Sequence, residues 1–143
     1  ELRVQSEMLA LDDLSKAYKG SIIPHIITQE VISLNKINYR KPNFWVREKN
    51  QASSEVDLIL EFQDKSIPIE IKSGSTGSLK SLHQYIDRTN HCYAIRIYGG
   101  DFKIEQTKTP LGTPYILMNL PYYLGTKIYE YIEYFVNTYY LKT

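Results

Sequence analysis

Residues Glu55 to Lys72 read Glu-Val-Asp-Leu-Ile-Leu-Glu-Phe-Gln-Asp-Lys-Ser-Ile-Pro-Ile-Glu-Ile-Lys, and the pattern is that of a β-hairpin. Val56, Leu58, Leu60 and Phe62 alternate with Asp57, Ile59 and Glu61. After a polar stretch, Ile67, Ile69 and Ile71 alternate with Pro68, Glu70 and Lys72. Side chains two residues apart on a strand share a face. Asp57 therefore falls on one face of the first strand, and Glu70 with Lys72 on one face of the second. With Gln63-Asp64-Lys65-Ser66 as the turn, Phe62 pairs with Ile67 and Asp57 stands opposite Lys72. Glu70 then lies one diagonal step from Asp57, roughly 7–8 Å at Cα. Two acids and a lysine converge on one patch, backed by an apolar sheet face.

Charge decides what such a patch can do. Two nearby carboxylates repel, and they settle by sharing a proton, pairing with the lysine or binding a divalent cation. Mg²⁺ suits one or two carboxylates supplemented by waters and phosphate oxygens. A lysine beside it can steady a phosphate under attack or orient the attacking water. The competing reading is a solvated sheet face with a cross-strand Asp57–Lys72 ion pair. Glu-x-Lys by itself is common on exposed strands; the aspartate thirteen residues earlier, on the matching face, is what distinguishes this one.

Asp57, Glu70 and Lys72 resemble the Asp…Glu-x-Lys signature of the PD-(D/E)XK, or restriction-endonuclease-like, superfamily. Ser54-Glu55-Val56-Asp57-Leu58-Ile59-Leu60 and Ile69-Glu70-Ile71-Lys72-Ser73-Gly74 are similar to a narrower group, the domain-of-unknown-function family 4143, found at the C-terminus of bacterial and archaeal P-loop ATPases. Gly20, Gln29-Glu30, Phe44-Trp45 and Ser78-Leu79-Lys80-Ser81-Leu82 fit as well, so the resemblance spans about residues 18 to 124. It implies an α+β fold with an αβββαβ core, a central mixed sheet flanked by helices, and here a long C-terminal helix. It also implies Mg²⁺ or Mn²⁺ held by Asp57, Glu70 and the Ile71 carbonyl, with Lys72 assisting the attacking water. Gln84 resembles the glutamine that RecB-like nucleases place after Glu-x-Lys, although a solvated polar residue is the plainer role. One departure bears on catalysis: the helix glutamate of the family usually falls four residues after the glycine, and that position is Pro24 here. Glu30 lies about two turns further on, and Glu48 and Glu55 are the other candidates to replace it.

At 143 residues, 43% hydrophobic and 23% charged, the chain suits one soluble globular domain. A net charge of +1 argues against a strongly basic coat for nucleic acid. The single cysteine, Cys92, excludes an internal disulfide and a cysteine zinc cluster. A cytoplasmic setting and no membrane span are the expectations. The chain begins at Glu1, as expected of a piece of something longer, and the resemblance places a P-loop ATPase domain in that longer chain.

Residues 1–19 read as an N-terminal arm or linker with Leu9, Leu11, Leu14 and Tyr18 as anchors, and 20–143 as the nuclease-like domain. Ile22, Ile23, Ile26, Ile27, Val31, Leu34 and Ile37 predict an amphipathic helix over 20–38. Asn43 to Glu48 reads as a first strand. The surrounding Lys36, Arg40, Lys41, Arg47 and Lys49 serve either as a phosphate-contacting rim or, more simply, as exposed cations. Ser78 suits the N-cap of a helix running to about Asn90 with Leu79, Leu82 and Ile86 buried. The spacing Gly74-x-x-Gly77-x-x-Lys80-Ser81 does not match a phosphate loop. Cys92–Ile97 is a nearly continuous apolar run, expected as a strand buried on both faces. Phe102–Thr107 and Thr113–Asn119 predict two more strands, and Leu124 to Tyr139 a final helix.

Three functional readings follow. The first is metal-dependent phosphodiester hydrolysis of DNA or RNA. The second is a catalytically inactive nuclease-like module that binds nucleic acid or protein. The third is a homodimer built on the C-terminal helix, since seven of the thirteen tyrosines follow residue 120.

Overall fold

A computed structural model describes residues 25–31, 33, 46–48, 56–72 and 78–142. Residues 25–31 and 33 are helical (α1). Next come β1 (Val46–Glu48), β2 (Leu58–Phe62), β3 (Lys65–Ile71), α2 (Lys80–Arg88), β4 (Tyr93–Tyr98), β5 (Lys103–Lys108) and β6 (Pro114–Pro121). A 3-10 turn over Tyr122–Lys127 leads into α3 (Ile128–Thr138). The chain is α+β. The strands form one mixed sheet in the order β1-β2-β3-β4-β6-β5. β3, β4 and β6 run parallel at its centre, while β1, β2 and β5 are antiparallel to their neighbours.

The hairpin is present, with a tighter turn than expected. Phe62 pairs with Lys65, Leu60 with Ile67 and Leu58 with Ile69. Only Gln63 and Asp64 turn the chain, both at positive φ (48° and 64°), which suits the twist of adjoining strands. The register is therefore shifted from Phe62–Ile67 by two residues. A two-residue shift preserves side-chain parity within the ladder, so Leu58, Leu60 and Phe62 still share a face with Ile67, Ile69 and Ile71, but Val56, before the first ladder pair, packs on the opposite face with Leu82 and Ile86. Leu58–Ile69 is the last pair of the ladder, and the expected Asp57–Lys72 pairing is not among its pairs. Pro68 has no N–H to give, and the β3–β4 ladder starts only at Ile69↔Ile95.

The two sheet faces are covered unequally. Leu58, Leu60, Phe62, Ile67, Ile69, Ile71, Ile95, Ile97, Met118 and Leu120 pack under Ile27 and Val31 of α1 and Ile128, Ile132, Phe135 and Val136 of α3. On the opposite face, Leu82 and Ile86 of α2 cover Val56, Ala94, Tyr115 and Leu117, with Leu79 partly buried. Ser78 precedes the cap residue Leu79, and its Oγ accepts the Lys80 N–H at 3.2 Å. β4 is buried on both faces except at Arg96, as its apolar run predicts. The β5–β6 loop closes through Thr109 and Thr113, with Gly112 at φ +90° in the left-handed position that glycine fills without strain.

The expected arm (1–19), Pro24, Lys36, Arg40, Lys41 and Lys49 of the basic stretch, Glu55 and the loop 73–77 lie outside the described residues. No helix among the described residues is long and apolar enough to cross a membrane.

Candidate functional site

Asp57, Glu70 and Lys72 all lie at the open end of the β2–β3 hairpin, with a direct contact between the Glu70 and Lys72 side chains and one from Asp57 to the Ile71 main chain. β2 begins at Leu58, so Asp57 sits just outside the ladder. The Ile71 N–H points toward β2, where a main-chain carbonyl would otherwise accept it. The Asp57 carboxylate takes that place, with Oδ2 accepting the bond at 2.8 Å. Asp57 is thus both a ligand candidate and a side-chain cap for a strand edge. Glu70 is 8% exposed, and its Oε1 lies 3.0 Å from the Lys72 ammonium. The Lys72 side chain retains 28% of its accessible surface, so the corner opens to water on the lysine side.

The Lys72 main chain is held on both sides. Its N–H donates to the Ile97 carbonyl at 2.9 Å, and its carbonyl accepts the Tyr122 hydroxyl. Tyr122 was not singled out in the sequence among so many tyrosines, although its place directly after Pro121 sets it at the end of β6, with β4 between it and β3.

Two further residues of this neighbourhood carry a signal that hydropathy hides. Arg96 is the one charged residue in the apolar run of β4, and it is the register partner of Glu70. Its Nε donates to Asn119 Oδ1 at 2.8 Å, and Asn119, 1% exposed, donates in turn to the Lys103 carbonyl at 3.2 Å. The guanidinium stacks over the Tyr98 ring, 4.5 Å from its centroid. Glu105 pairs with Lys103 at 2.8 Å. That hydrogen bond, with help from Asn119 and the Arg96 charge, holds the Glu105 carboxyl below its ordinary range despite partial burial.

Gln84 stands elsewhere. It is exposed on α2 and lines a cleft of about 360 Å³ with Leu79, Lys80, His83, Asp87 and Leu111. None of Asp57, Glu70 and Lys72 lines that cleft. In it His83 Nε2 lies 2.9 Å from the Tyr115 hydroxyl, and burial lowers the His83 pKa while raising that of Tyr115 to about 12. Asp87 accepts the Thr109 hydroxyl at 2.7 Å. Glu30 is exposed on α1, whose buried Ile27 and Val31 belong to the core on the opposite sheet face from Glu70.

Asp57, Glu70 and the Ile71 carbonyl, the ligands that the resemblance implies, are hard oxygen donors of the kind that suits Mg²⁺ or Mn²⁺, which fill remaining positions with water and phosphate oxygens. Among the described residues no group of three or more His, Cys, Asp or Glu side chains gathers as a closed metal cage.

A family model for a domain of unknown function, DUF4143, matches residues 19–122. The chain belongs to this family. The DUF4143 match spans Asp57, Glu70, Lys72, Arg96 and Asn119, and it stops before α3 begins. No curated protein and no solved structure gives a significant match.

Proposed function

We propose that this DUF4143 chain is a nuclease-like domain of the PD-(D/E)XK type, acting on phosphodiester bonds of nucleic acid with Mg²⁺ or Mn²⁺. The observation that carries the reading is the corner itself: Asp57 bonded to the Ile71 N–H beside a Glu70–Lys72 pair at 3.0 Å. The order of helix, three antiparallel strands, helix and parallel strand supports the reading, since the resemblance implies an αβββαβ core. Asp57, Glu70 and the Ile71 carbonyl would hold the cation. A bound divalent ion supplies a nucleophilic hydroxide at neutral pH and neutralises charge on the phosphate. Lys72, fixed through its main chain, directs its ammonium at the attacking water or a phosphate oxygen. Gln84, on the outer side of α2, stays an accessory candidate only. The family resemblance supports a P-loop ATPase domain in the same full-length chain and a cytoplasmic setting.

The second reading, a nuclease-like module that binds without cutting, is favoured by one observation. Ile71 N–H and Lys72 already engage the two carboxylates, and no α1 carboxylate joins them among the described residues. Nicking of supercoiled plasmid in Mn²⁺ separates the two. Hydrolysis requires nicking that disappears in Lys72→Ala and Glu70→Ala. Salt-sensitive retention of DNA or RNA that survives both substitutions, without nicking, supports the binding module and ends the catalytic reading.

A further inference from the structure

We propose that Arg96 is a phosphate-binding residue, its guanidinium fork fixed from behind to clamp a nucleic-acid backbone that runs across the sheet from the Lys72 corner toward Lys103. The inference rests on the nuclease-like reading for the identity of the anion. The geometry behind it is independent of the metal.

Glu70, Arg96, Asn119 and Lys103 are successive register partners on β3, β4, β6 and β5. Direct partners share a face, so these side chains form one row across the sheet. At about 4.8 Å per strand the row spans roughly 14 Å. It lies on the α2 face, one level beyond Ala94 and Leu117, which Leu82 and Ile86 help to bury. Lys72, Arg96 and Lys103 put a cation at each end and one in the middle, and Glu70 and Glu105 are the acids interleaved with them.

Arg96 differs from the two lysines in being held. Asn119 is almost fully buried and spends both ends of its amide on the arrangement, accepting from Arg96 Nε and donating to the Lys103 carbonyl. Tyr98 supports the guanidinium from beneath, and its own hydroxyl is tied to the Asp101 carbonyl at 2.6 Å. Gly100 faces the Tyr98 ring so closely that an added Cβ would lie 2.6 Å from it, so the absence of a side chain at Gly100 leaves the ring its place. Only Nε is used by these contacts. The Nη groups have no hydrogen-bond partner among the described residues. A rigid fork with its outer donors open matches two oxygens of a phosphodiester, the geometry at which arginine outperforms lysine.

The test is binding of a labelled oligonucleotide, as single strand and as duplex, over a series of salt concentrations without divalent metal. Arg96→Gln is expected to weaken binding about tenfold, the cost of one charge-assisted contact. It is also expected to flatten the slope of log K against log salt by about 0.7 for single strand and 0.9 for duplex. Arg96→Lys keeps the charge and loses the fork, so binding weakens while the slope stays near that of the parent chain. Lys80→Gln, on the outer side of α2, is expected to change neither. If Arg96→Gln fails to fold, judged by its thermal melt, Arg96→Lys decides alone: weaker binding supports the proposal and unchanged binding overturns it. Parent-like binding by both Arg96 variants, or an equal loss in Lys80→Gln, overturns the role of Arg96 and leaves the nuclease-like reading standing. A parent chain that retains neither oligonucleotide overturns that reading and this inference with it.

Discussion

Asp57, proposed as a metal ligand, has a part in the architecture as well. Its Oδ2 accepts the Ile71 N–H at 2.8 Å just where β2 leaves the ladder. Asp57→Ala removes the acceptor and leaves a partly buried N–H unsatisfied, a loss of about 1–2 kcal/mol. Asp57→Asn keeps a neutral carbonyl oxygen in the same place and is expected to lose less than half of that. Urea unfolding of the two variants checks the ordering; equal losses would show that the charge, not the hydrogen bond, holds the strand edge. In a metal titration the ranking reverses in meaning, because Asn preserves the fold and still removes a carboxylate. Parity alone put Glu70 and Lys72 on one face in either register, and they form a pair at 3.0 Å, whereas Asp57 lies before β2 begins, where Val56 already packs on the other side from Leu58. Which residues of β2 and β3 stand opposite one another was not readable, because that depends on how many residues the turn consumes. Arg96 and Asn119 were hidden for a different reason: an apolar run advertises burial, and a single arginine inside it reads as an exception until its partners on β3 and β6 are known.

At the level of the element, the β2–β3 turn is the least regular choice in the hairpin. Gln63 and Asp64 both adopt positive φ, which asparagine and glycine tolerate far better than glutamine. Gln63→Asn combined with Asp64→Gly is expected to raise stability by about 0.5–1 kcal/mol, measured by denaturant unfolding; a decrease would mean that the turn depends on its present side chains. The polar run Gln-Asp-Lys-Ser concealed this turn, because Lys65 and Ser66 look like loop residues yet begin β3. They can do so because Ser66 is tied down on several sides. Its carbonyl is within hydrogen-bond reach of the Tyr85 hydroxyl at 2.8 Å and of His91 Nε2 at 2.7 Å, and its hydroxyl bonds Glu61. His91 Nδ1 accepts the Tyr93 N–H at 3.1 Å, so the ring must be neutral with its proton on Nε2. Burial is the main reason that the His91 pKa lies below its ordinary 6.5, and His83 is lowered by the same cause. The unfolded chain takes up these protons near pH 6.5 and the folded chain only at lower pH. Stability is therefore full above that value and is lost as pH falls below it. Melting temperatures at pH 7.5 and 5.5 are expected to differ in that direction, and less so in His91→Asn, which keeps an acceptor for Tyr93. An unchanged difference in that variant would remove His91 from the account.

Across the whole molecule, the two sides of the sheet carry different burdens. The α1–α3 side holds the larger core, with Ile132 and Phe135 fully buried. The α2 side is thinner, and it is the side on which the Glu70–Arg96–Asn119 row lies. α2 is nine residues long and fully buries only Leu82 and Ile86, too short to persist without its packing. Leu82→Ala and Ile132→Ala each remove a fully buried branched side chain, and each is expected to cost about 2–5 kcal/mol. The way the loss is spent should differ. Ile132 joins α3 to a core that includes residues of β2, β3, β4 and β6, so its truncation lowers the global transition. Leu82 anchors one short helix, and truncation lets that helix open while the sheet stays closed on its other face. Hydrogen exchange would show this as faster exchange across Lys80–Arg88 in Leu82→Ala, with β4 and β6 amides still protected beneath α3. Uniform acceleration over α2, β4 and β6 would mean instead that α2 and the sheet are one cooperative unit. The site row would then draw its stability from both faces at once.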